Sequence, residues 1–242
     1  MSGTLIARRK ASGEPFELTH SMVIDAAEEG ITVTDNALYP KAADDLPFSV
    51  EFWHKTPASI NASRVILTFR DTNGNKITFQ HAGSAILEYL LSDGTNAIRR
   101  RTGGGAITTN TWYLLVITYS GSKAATGLKI YRNTTQIDTT TVNIGTYTGL
   151  PNRTGDFILQ IPNRLTTFFG AGKYSLFRYW HNYELTTANI STLYNAGDPI
   201  EVTGALKNDL KLELLMNNNA NARIGTDGAF VGSPTFDNAD LP

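Results

Sequence analysis

The acidic residues offer one chemistry that this sequence could perform, the cleavage of a glycosidic bond. Retaining glycosidases hold two carboxylates about 5 Å apart around that bond, and the pattern Glu-x-Asp-x-x-Glu would supply them from one strand. That pattern does not occur in the sequence. The nearest cluster is Asp25 with Glu28 and Glu29, whose spacing does not match and which ends at Gly30 in a predicted loop. We interpret this cluster as a solvated turn and predict no catalytic residues.

Histidine offers acid–base and metal chemistry near neutral pH. The four histidines are His20, His54, His81 and His181, and no two of them stand two or four positions apart. A histidine-based metal site would have to be assembled from distant strands, so we predict structural histidines. Gln80 with His81 is similar to the Gln/His pair with which polysaccharide lyases neutralise a carboxylate and move a proton, but no Arg-x-Glu-x-Arg strand accompanies it.

A run of three arginines, Arg99, Arg100 and Arg101, offers charge for binding. Together with His81, these arginines are our candidates for contact with a glycan or another anionic partner. The glycines at 103–105 lack the Lys-Ser/Thr that would follow in a phosphate-binding loop, so they predict a mobile hairpin end. The alternative for the arginines is a solvated strand edge.

The elements that would position these residues are short strands in a chain of balanced charge. The 242 residues carry a net charge of -1, 41% of them are hydrophobic, and none is cysteine. The absence of cysteine excludes disulfide frameworks and thiolate metal sites, and the balanced charge argues against a nucleic-acid partner. The residues Phe48, Val50 and Phe52 alternate on one face of a strand, and 111–119 predicts a central strand.

Turn and helix signals complete the prediction of the fold class. Asn73 and Gly74 form a hairpin signal, since a type I′ turn needs positive φ at both central residues. One short helix is predicted near residues 187–196, capped by Thr186 and ended by Gly197. About a dozen short strands with one helix predict an all-β fold, a two-sheet antiparallel jelly-roll sandwich.

The composition of residues 1–15 predicts a basic arm at the beginning of the chain. Arg8, Arg9 and Lys10 follow a very short apolar stretch, which is the reverse of the order in a secretory signal. No apolar run approaches the ~20 residues that cross a bilayer, so we expect no membrane insertion. The arm is expected to be solvated or to attach the chain to a partner surface.

Several stretches of the chain carry a resemblance to a known family. They are Ser21–Asp25 with Gly30–Val33, Phe48–Lys55, Thr111–Tyr119, Leu128–Asn133 and, most specifically, Tyr174–Gly197. In this order they resemble the laminin-G-like, pentraxin-like modules of the concanavalin A-like lectin/glucanase superfamily. The last stretch is similar to that family's closing strand, turn and short helix. The resemblance implies a jelly-roll domain over residues 16–200.

The C-terminal residues 201–242 form a predicted extension. Leu210–Asn217 and Gly228–Phe236 are similar to a strand and a loop that usually precede such a module, although here they follow it. Two arrangements are open. The extension folds back beside the N-terminal strand of the same sandwich, or it pairs with a neighbouring subunit and protects an exposed edge.

The resemblance implies a protein that binds or decorates. A single module with no cysteine, no secretory signal and short extensions is similar to laminin-G-like proteins on bacteriophage particles. We therefore predict a non-enzymatic virion structural protein, made in the host cytoplasm and exposed on the virion surface. Its expected partners are other virion proteins, its own copies and cell-surface glycans, with Arg8, Arg9 and Lys10 as attachment residues. The alternatives are a secreted, extracellular lectin or adhesion module, and a polysaccharide lyase or glycosidase of the same fold.

The resemblance also implies a calcium ion, since members of the family often hold one with Asp and Asn side chains and loop carbonyls. The candidate ligands are Asp71, Asn73 and Asn75 in one loop, or Asp35 and Asn36 in another. The alternative for the first loop is a plain hairpin turn.

Overall fold

The computed structural model describes residues 16–26, 29–34, 45–60, 62–71, 75–150, 158–161, 171–225 and 227–242. The predicted basic arm with Arg8, Arg9 and Lys10 lies outside these residues, as do Asn73, Asp35 and Asn36. Among the helices of the described residues, none is long and apolar enough to cross a membrane.

Seventeen strands and two short helices make up the described chain. The strands are β1 (Ser21–Ile24), β2 (Gly30–Thr34), β3 (Phe48–Lys55), β4 (Ser63–Arg70), β5 (Asn75–Ala82), β6 (Leu87–Asp93), β7 (Ala97–Thr102), β8 (Trp112–Tyr119), β9 (Leu128–Arg132), β10 (Thr135–Gln136), β11 (Asp138–Ile144), β12 (Ile158–Ile161), β13 (Gly172–His181), β14 (Leu210–Leu214), β15 (Ala222–Ile224), β16 (Ala229–Val231) and β17 (Thr235–Asp237). The helices are α1 (Thr187–Tyr194) and the single turn α2 (Ala205–Asn208). The sequence predicted α1 but not α2.

The strands form two antiparallel sheets, which confirms the predicted fold class. Sheet A has the order β10-β9-β8-β3-β13-β1-β17, and β14 with β15 continues from β13. Sheet B has the order β11-β7-β6-β5-β4-β12-β2-β16. The strand predicted to be central, β8, lies between β3 and β9 inside sheet A.

The main core lies between the two sheets. Phe48, Val50 and Phe52 of β3 point into it as their alternation predicted, and each is at most 1% exposed. A second apolar layer covers the outer face of sheet A, where Ile190 and Leu193 of α1 pack over Trp53, Leu114, Val116 and Trp180. Helix α1 therefore covers the apolar part of the outer face of sheet A.

Helix α1 begins at its predicted cap, Thr186, but it ends at Asn195 rather than at the predicted Gly197. The Thr186 hydroxyl accepts a hydrogen bond from the Asn189 backbone N–H at 3.2 Å, and the Asn189 side-chain oxygen accepts one from the Thr186 N–H at 3.0 Å. This reciprocal cap satisfies two of the free donors at the helix start. Asn195 ends the helix in the left-handed region with φ 41°.

The C-terminal extension joins both sheets of its own chain. Strand β14 pairs with β13, β17 pairs with β1, and β16 pairs with β2. The Asp240 carboxylate then accepts hydrogen bonds from Lys55 at 2.6 Å, Lys173 at 2.5 Å and the Trp112 indole at 2.9 Å. Burial would raise the pKa of Asp240, but these donors outweigh it and hold that pKa below its usual value.

A buried ion network ties the extension to sheet A. The Arg178 guanidinium donates to Glu213 of β14 at 2.7 Å and to Glu51 of β3 at 3.1 Å, and all three side chains are fully buried. Arg178 also donates to the Ile200 carbonyl. Burial raises the pKa of Glu51, an effect that the Arg178 charge opposes. Arg178 thus links a carboxylate of β3 to one of β14, and Glu213 also pairs with Arg223 of β15.

Replacing the central cation of this network is expected to destabilise the fold strongly. Arg178→Met leaves Glu51 buried without the Arg178 charge and leaves Glu213 paired only with Arg223. Breaking a buried ion pair in this way typically costs about 3–5 kcal/mol. Glu201→Gln is the matched control, since Glu201 is 41% exposed and pairs with Arg223 at the rim of the network, where loss of a pair costs about 1 kcal/mol or less. Urea unfolding measures both, and equal losses would contradict the central role of Arg178.

Two histidines face each other between the sheets. His54 of β3 and His81 of β5 are 0% and 1% exposed, and their ring centroids lie 5.8 Å apart. His54 Nδ1 lies 3.2 Å from the Lys173 carbonyl, whereas His54 Nε2 and both ring nitrogens of His81 have no hydrogen-bond partner in the described chain. Burial lowers the pKa of His54 to about 3 and that of His81 to about 4, with a smaller contribution in His81 from Arg64.

The histidine pair predicts acid-sensitive stability. Below pH 6.5 these histidines bind protons in the unfolded chain but stay neutral in the folded chain. The free energy of unfolding therefore falls as the pH drops from about 6.5 to 4, by about 2 kcal/mol per histidine at pH 4.5. The double variant His54→Phe/His81→Leu should flatten this dependence in urea titrations between pH 4 and 8. The control His20→Gln should keep it, and an unchanged slope in the double variant would contradict the assignment.

Candidate ligand-binding face

The three consecutive arginines lie on two different faces of sheet B. In β7 the side chains alternate, so Arg99 and Arg101 share the outer face while Arg100 points to the opposite side. Arg101 lies opposite Glu88 of β6, and Glu88 lies opposite Gln80 of β5. The register therefore brings four polar side chains together on the outer face. We call Gln80, Glu88, Arg99 and Arg101 the outer patch.

Glu88 is the centre of the outer patch. Its carboxylate accepts hydrogen bonds from Gln80 Nε2 at 2.8 Å, from Arg99 at 3.1 Å and from Arg101 Nε. The Arg99 and Arg101 side chains stay 19% and 39% exposed, while that of Glu88 is only 4% exposed. Two guanidinium groups share one carboxylate, so the patch keeps one excess positive charge, and Arg99 Nε has no hydrogen-bond partner in the described chain.

The neighbouring residues on the same face add charge and apolar surface. Lys76 and Arg70, at the paired ends of β5 and β4, are both exposed. On the other side, Val142 and Thr140 of β11 lie opposite Arg99 and Arg101. The outer patch thus lies within a strip that is mainly basic on one side and uncharged on the other.

Arg100 lies away from the outer patch and binds side chains of the neighbouring strand β11. Its Nε donates to Asp138 Oδ2 at 2.8 Å, and its terminal nitrogens bond Asp138 again and the Thr141 hydroxyl. The Asp138 side chain is 0% exposed and also accepts from the Ile130 backbone N–H at 2.8 Å. Arg100 therefore fastens β11 to β7 and is separated from the two arginines beside it in sequence.

His81 also lies away from the outer patch. It follows Gln80 in β5, so its side chain points to the opposite face of sheet B, into the interior beside His54. At 1% exposure it cannot contact a glycan on the outer face. The sequence prediction grouped His81 with the arginines because it did not apply strand alternation to both strands at once.

The pair of carboxylates in the ion network of sheet A is closed to substrate. Glu51 and Glu213 flank Arg178, but both side chains are 0% exposed. On the outer patch a single carboxylate lies between two guanidinium groups, which is an Arg–Glu–Arg arrangement assembled from β7 and β6 rather than along one strand. Sequence reasoning searched one strand at a time and therefore missed Glu88.

Residues 25–191 match a laminin-G family model described as the Concanavalin A-like lectin/glucanases superfamily. The match covers more than half of the chain and includes every strand of the outer patch. This chain belongs to the concanavalin A-like lectin/glucanase superfamily. No curated protein sequence matches it.

Solved structures of the superfamily share the fold at low identity. A native heptameric SAP-like pentraxin from Limulus polyphemus has 13% sequence identity and a TM-score of 0.58, over 90% of this chain and 94% of that chain. A candidate carbohydrate-binding protein from Bacteroides ovatus has 15% identity and a TM-score of 0.60, over 95% of this chain and 62% of that chain. This chain therefore spans 62% of the length of the latter protein.

The three tryptophans, which a lectin of the superfamily could stack on sugars, are buried or partly buried. Trp53 and Trp180 are 2% and 0% exposed, and Trp112 is partly buried with its indole bonded to Asp240. The tryptophans therefore belong to the layer over sheet A. Recognition at the outer patch would rest on hydrogen bonds and charge.

The calcium site expected from the superfamily stays a prediction. Asp71 is 8% exposed at the end of β4, Asn75 begins β5 opposite Asp93, and Asn73 lies outside the described residues. Calcium takes six to eight oxygen ligands. In the part of the chain that the structure describes, no three His, Asp or Glu side chains cluster for a metal.

The two roles of the arginines predict different effects of their removal. Arg100→Ala leaves the buried Asp138 without its cation and should cost about 3 kcal/mol. Arg101→Ala leaves Glu88 with Arg99 and Gln80 and should cost about 1 kcal/mol or less. Thermal and urea unfolding of both variants test this order, and a larger loss for Arg101→Ala would contradict the assignment of faces.

Proposed function

We propose that this chain is a non-enzymatic module that binds carbohydrate through the outer patch. The observation that carries the proposal is the fixed, charge-excess cluster of Gln80, Glu88, Arg99 and Arg101 on the exposed side of sheet B. Sugars are recognised by convergent donors and acceptors held in place before binding, and arginine supplies donors in a rigid fork. The superfamily fold and a structural neighbour that is described as carbohydrate binding support the same function.

The charge of the patch favours an acidic saccharide. Of the four patch residues, one is a carboxylate that already accepts three hydrogen bonds, and two are guanidinium groups with nitrogen atoms at the surface. Lys76 and Arg70 extend the positive charge along the same face. A carboxylate or sulfate group on a sugar would complete the charge balance that Glu88 leaves open.

A glycan array with the full chain, in calcium and again in chelator, tests the proposal. We expect binding to acidic glycans and at least tenfold weaker affinity in Arg99→Ala/Arg101→Ala, since a hydrogen bond to a charged group contributes about 1.5–3 kcal/mol. The control Lys211→Ala removes an exposed cation from β14 of sheet A and should bind as the wild type. A blank array in both buffers, or full affinity in the double variant, would overturn the proposal.

The Arg–Glu–Arg arrangement makes a polysaccharide lyase the second candidate. A lyase also needs an acid or base beside the neutralised carboxylate, and the adjacent His81 is buried on the other side of the sheet. We therefore expect no absorbance increase at about 235 nm with acidic polysaccharides that the chain binds. An increase that Glu88→Gln abolishes would establish the enzyme instead.

The setting on a virion surface stays a prediction from the sequence resemblance. A position on the virion surface implies that the chain co-purifies with particles of its source, together with other virion proteins. Immunoblotting of gradient-purified particles tests it, and absence from the particles would favour the secreted lectin.

A further inference from the structure

The edges of the two sheets differ sharply in length. Sheet A ends on β10, β15 and β17, and sheet B ends on β16, and these edge strands have only two or three residues. The remaining edge of sheet B is β11, which has seven residues. Short edge strands are one way in which proteins avoid pairing with other chains. Strand β11 is too long to be protected in this way.

Among the strands that the structure describes, β11 pairs only with β7, and most of its residues are exposed. Thr139, Thr140, Thr141, Asn143 and Ile144 are exposed, and Ile144, at 40%, is the large hydrophobic residue that the described chain leaves exposed. Within the described residues, the backbone of this strand bonds only to β7. Alternate N–H and C=O groups of an edge strand therefore point outward without a protein partner.

The strand has no side chain that would repel another copy of itself. It contains no lysine, arginine or proline, and its one charge, on Asp138, is paired with Arg100 and buried. A register irregularity between Asp138 and Thr140 ends the regular part of the strand, which leaves Thr140–Ile144 as the stretch able to pair.

We propose that two copies of this chain pair antiparallel through Thr140–Ile144, about a two-fold axis at Val142. In this register Val142 lies against Val142 of the partner, and the exposed Ile144 lies against Thr140. Thr141 lies opposite Asn143, so the polar residues meet on the other face. The register is self-complementary, as a two-fold interface requires. The two eight-stranded sheets B then become one continuous sheet.

The pairing has a consequence for binding that rests on the proposed function. The outer patch includes β7, and β11 is the next strand. Two patches on the joined sheet would be separated by three strand spacings, about 14 Å, on one continuous face. A glycan with repeated acidic sugars could then contact both patches, which raises the apparent affinity without a new contact.

Cysteine cross-linking tests the register directly, because the chain has no cysteine of its own. Residues directly opposite each other across antiparallel strands have Cα atoms about 4.5–5.5 Å apart, within the range for a disulfide. Val142→Cys should therefore form a disulfide-linked dimer under mild oxidation, whereas the control Thr139→Cys, outside the paired stretch, should do so at least tenfold more slowly. Equal rates would overturn the register.

Sedimentation velocity over about 10 µM to 1 mM tests the association without a glycan. A five-residue strand pairing buries less than the roughly 1,600 Å² of a standard stable interface, so we expect a dimer that forms with rising concentration. Val142→Lys places two like charges at the axis and should remain monomeric with an unchanged melting temperature. A wild-type monomer at every concentration would overturn the proposal, whatever the glycan array shows. Cross-linking of Val142→Cys to a different protein would overturn the choice of a second copy.

Discussion

The guanidinium of Arg178 is the group on which the arrangement of sheet A depends. It lies in β13, and its two carboxylate partners come from β3, early in the chain, and from β14, in the C-terminal extension. A buried charge must be compensated, since its transfer from water is otherwise too costly. The requirement fixes the position of β14 beside β13, and β14 in turn leads the chain to β16 and β17. The ion network thus joins β14 to β13 and β3 within sheet A, and the apolar core joins the two sheets.

The outer faces of the two sheets differ in what covers them. The extension, the ion network and α1 cover part of the outer face of sheet A, and ion pairs join Lys55 and Lys173 to Asp237 and Asp240 there. The outer face of sheet B carries Glu88 between Arg99 and Arg101 instead. In our proposal, sheet B supplies the surface for a partner. We expect the histidine pair between the sheets to make the stability of the fold depend on pH.

The sequence predicts the features that depend on local pattern. Alternation in 48–54 identifies the core face of β3, and Thr186 marks the start of α1. The features that it did not predict depend on pairs far apart in the chain. Arg178 and Glu213 are 35 positions apart, and Arg99 and Glu88 are 11 apart on different strands. Which strands are neighbours, and in which register, decides these pairs, and a single sequence carries no direct signal for either.

The pairing of β1 with β17 has a consequence for folding during translation. Ser21 and Asp237 are neighbours in the sheet but 216 positions apart in the chain. At 5–20 residues per second, a ribosome needs about 10–40 s to make the intervening chain. During that interval β1 and β2 have emerged, and the strands that will cover them do not yet exist. The pairing of β1 with β17 can form only after residue 237 has been made, so β1 keeps an open edge throughout that interval.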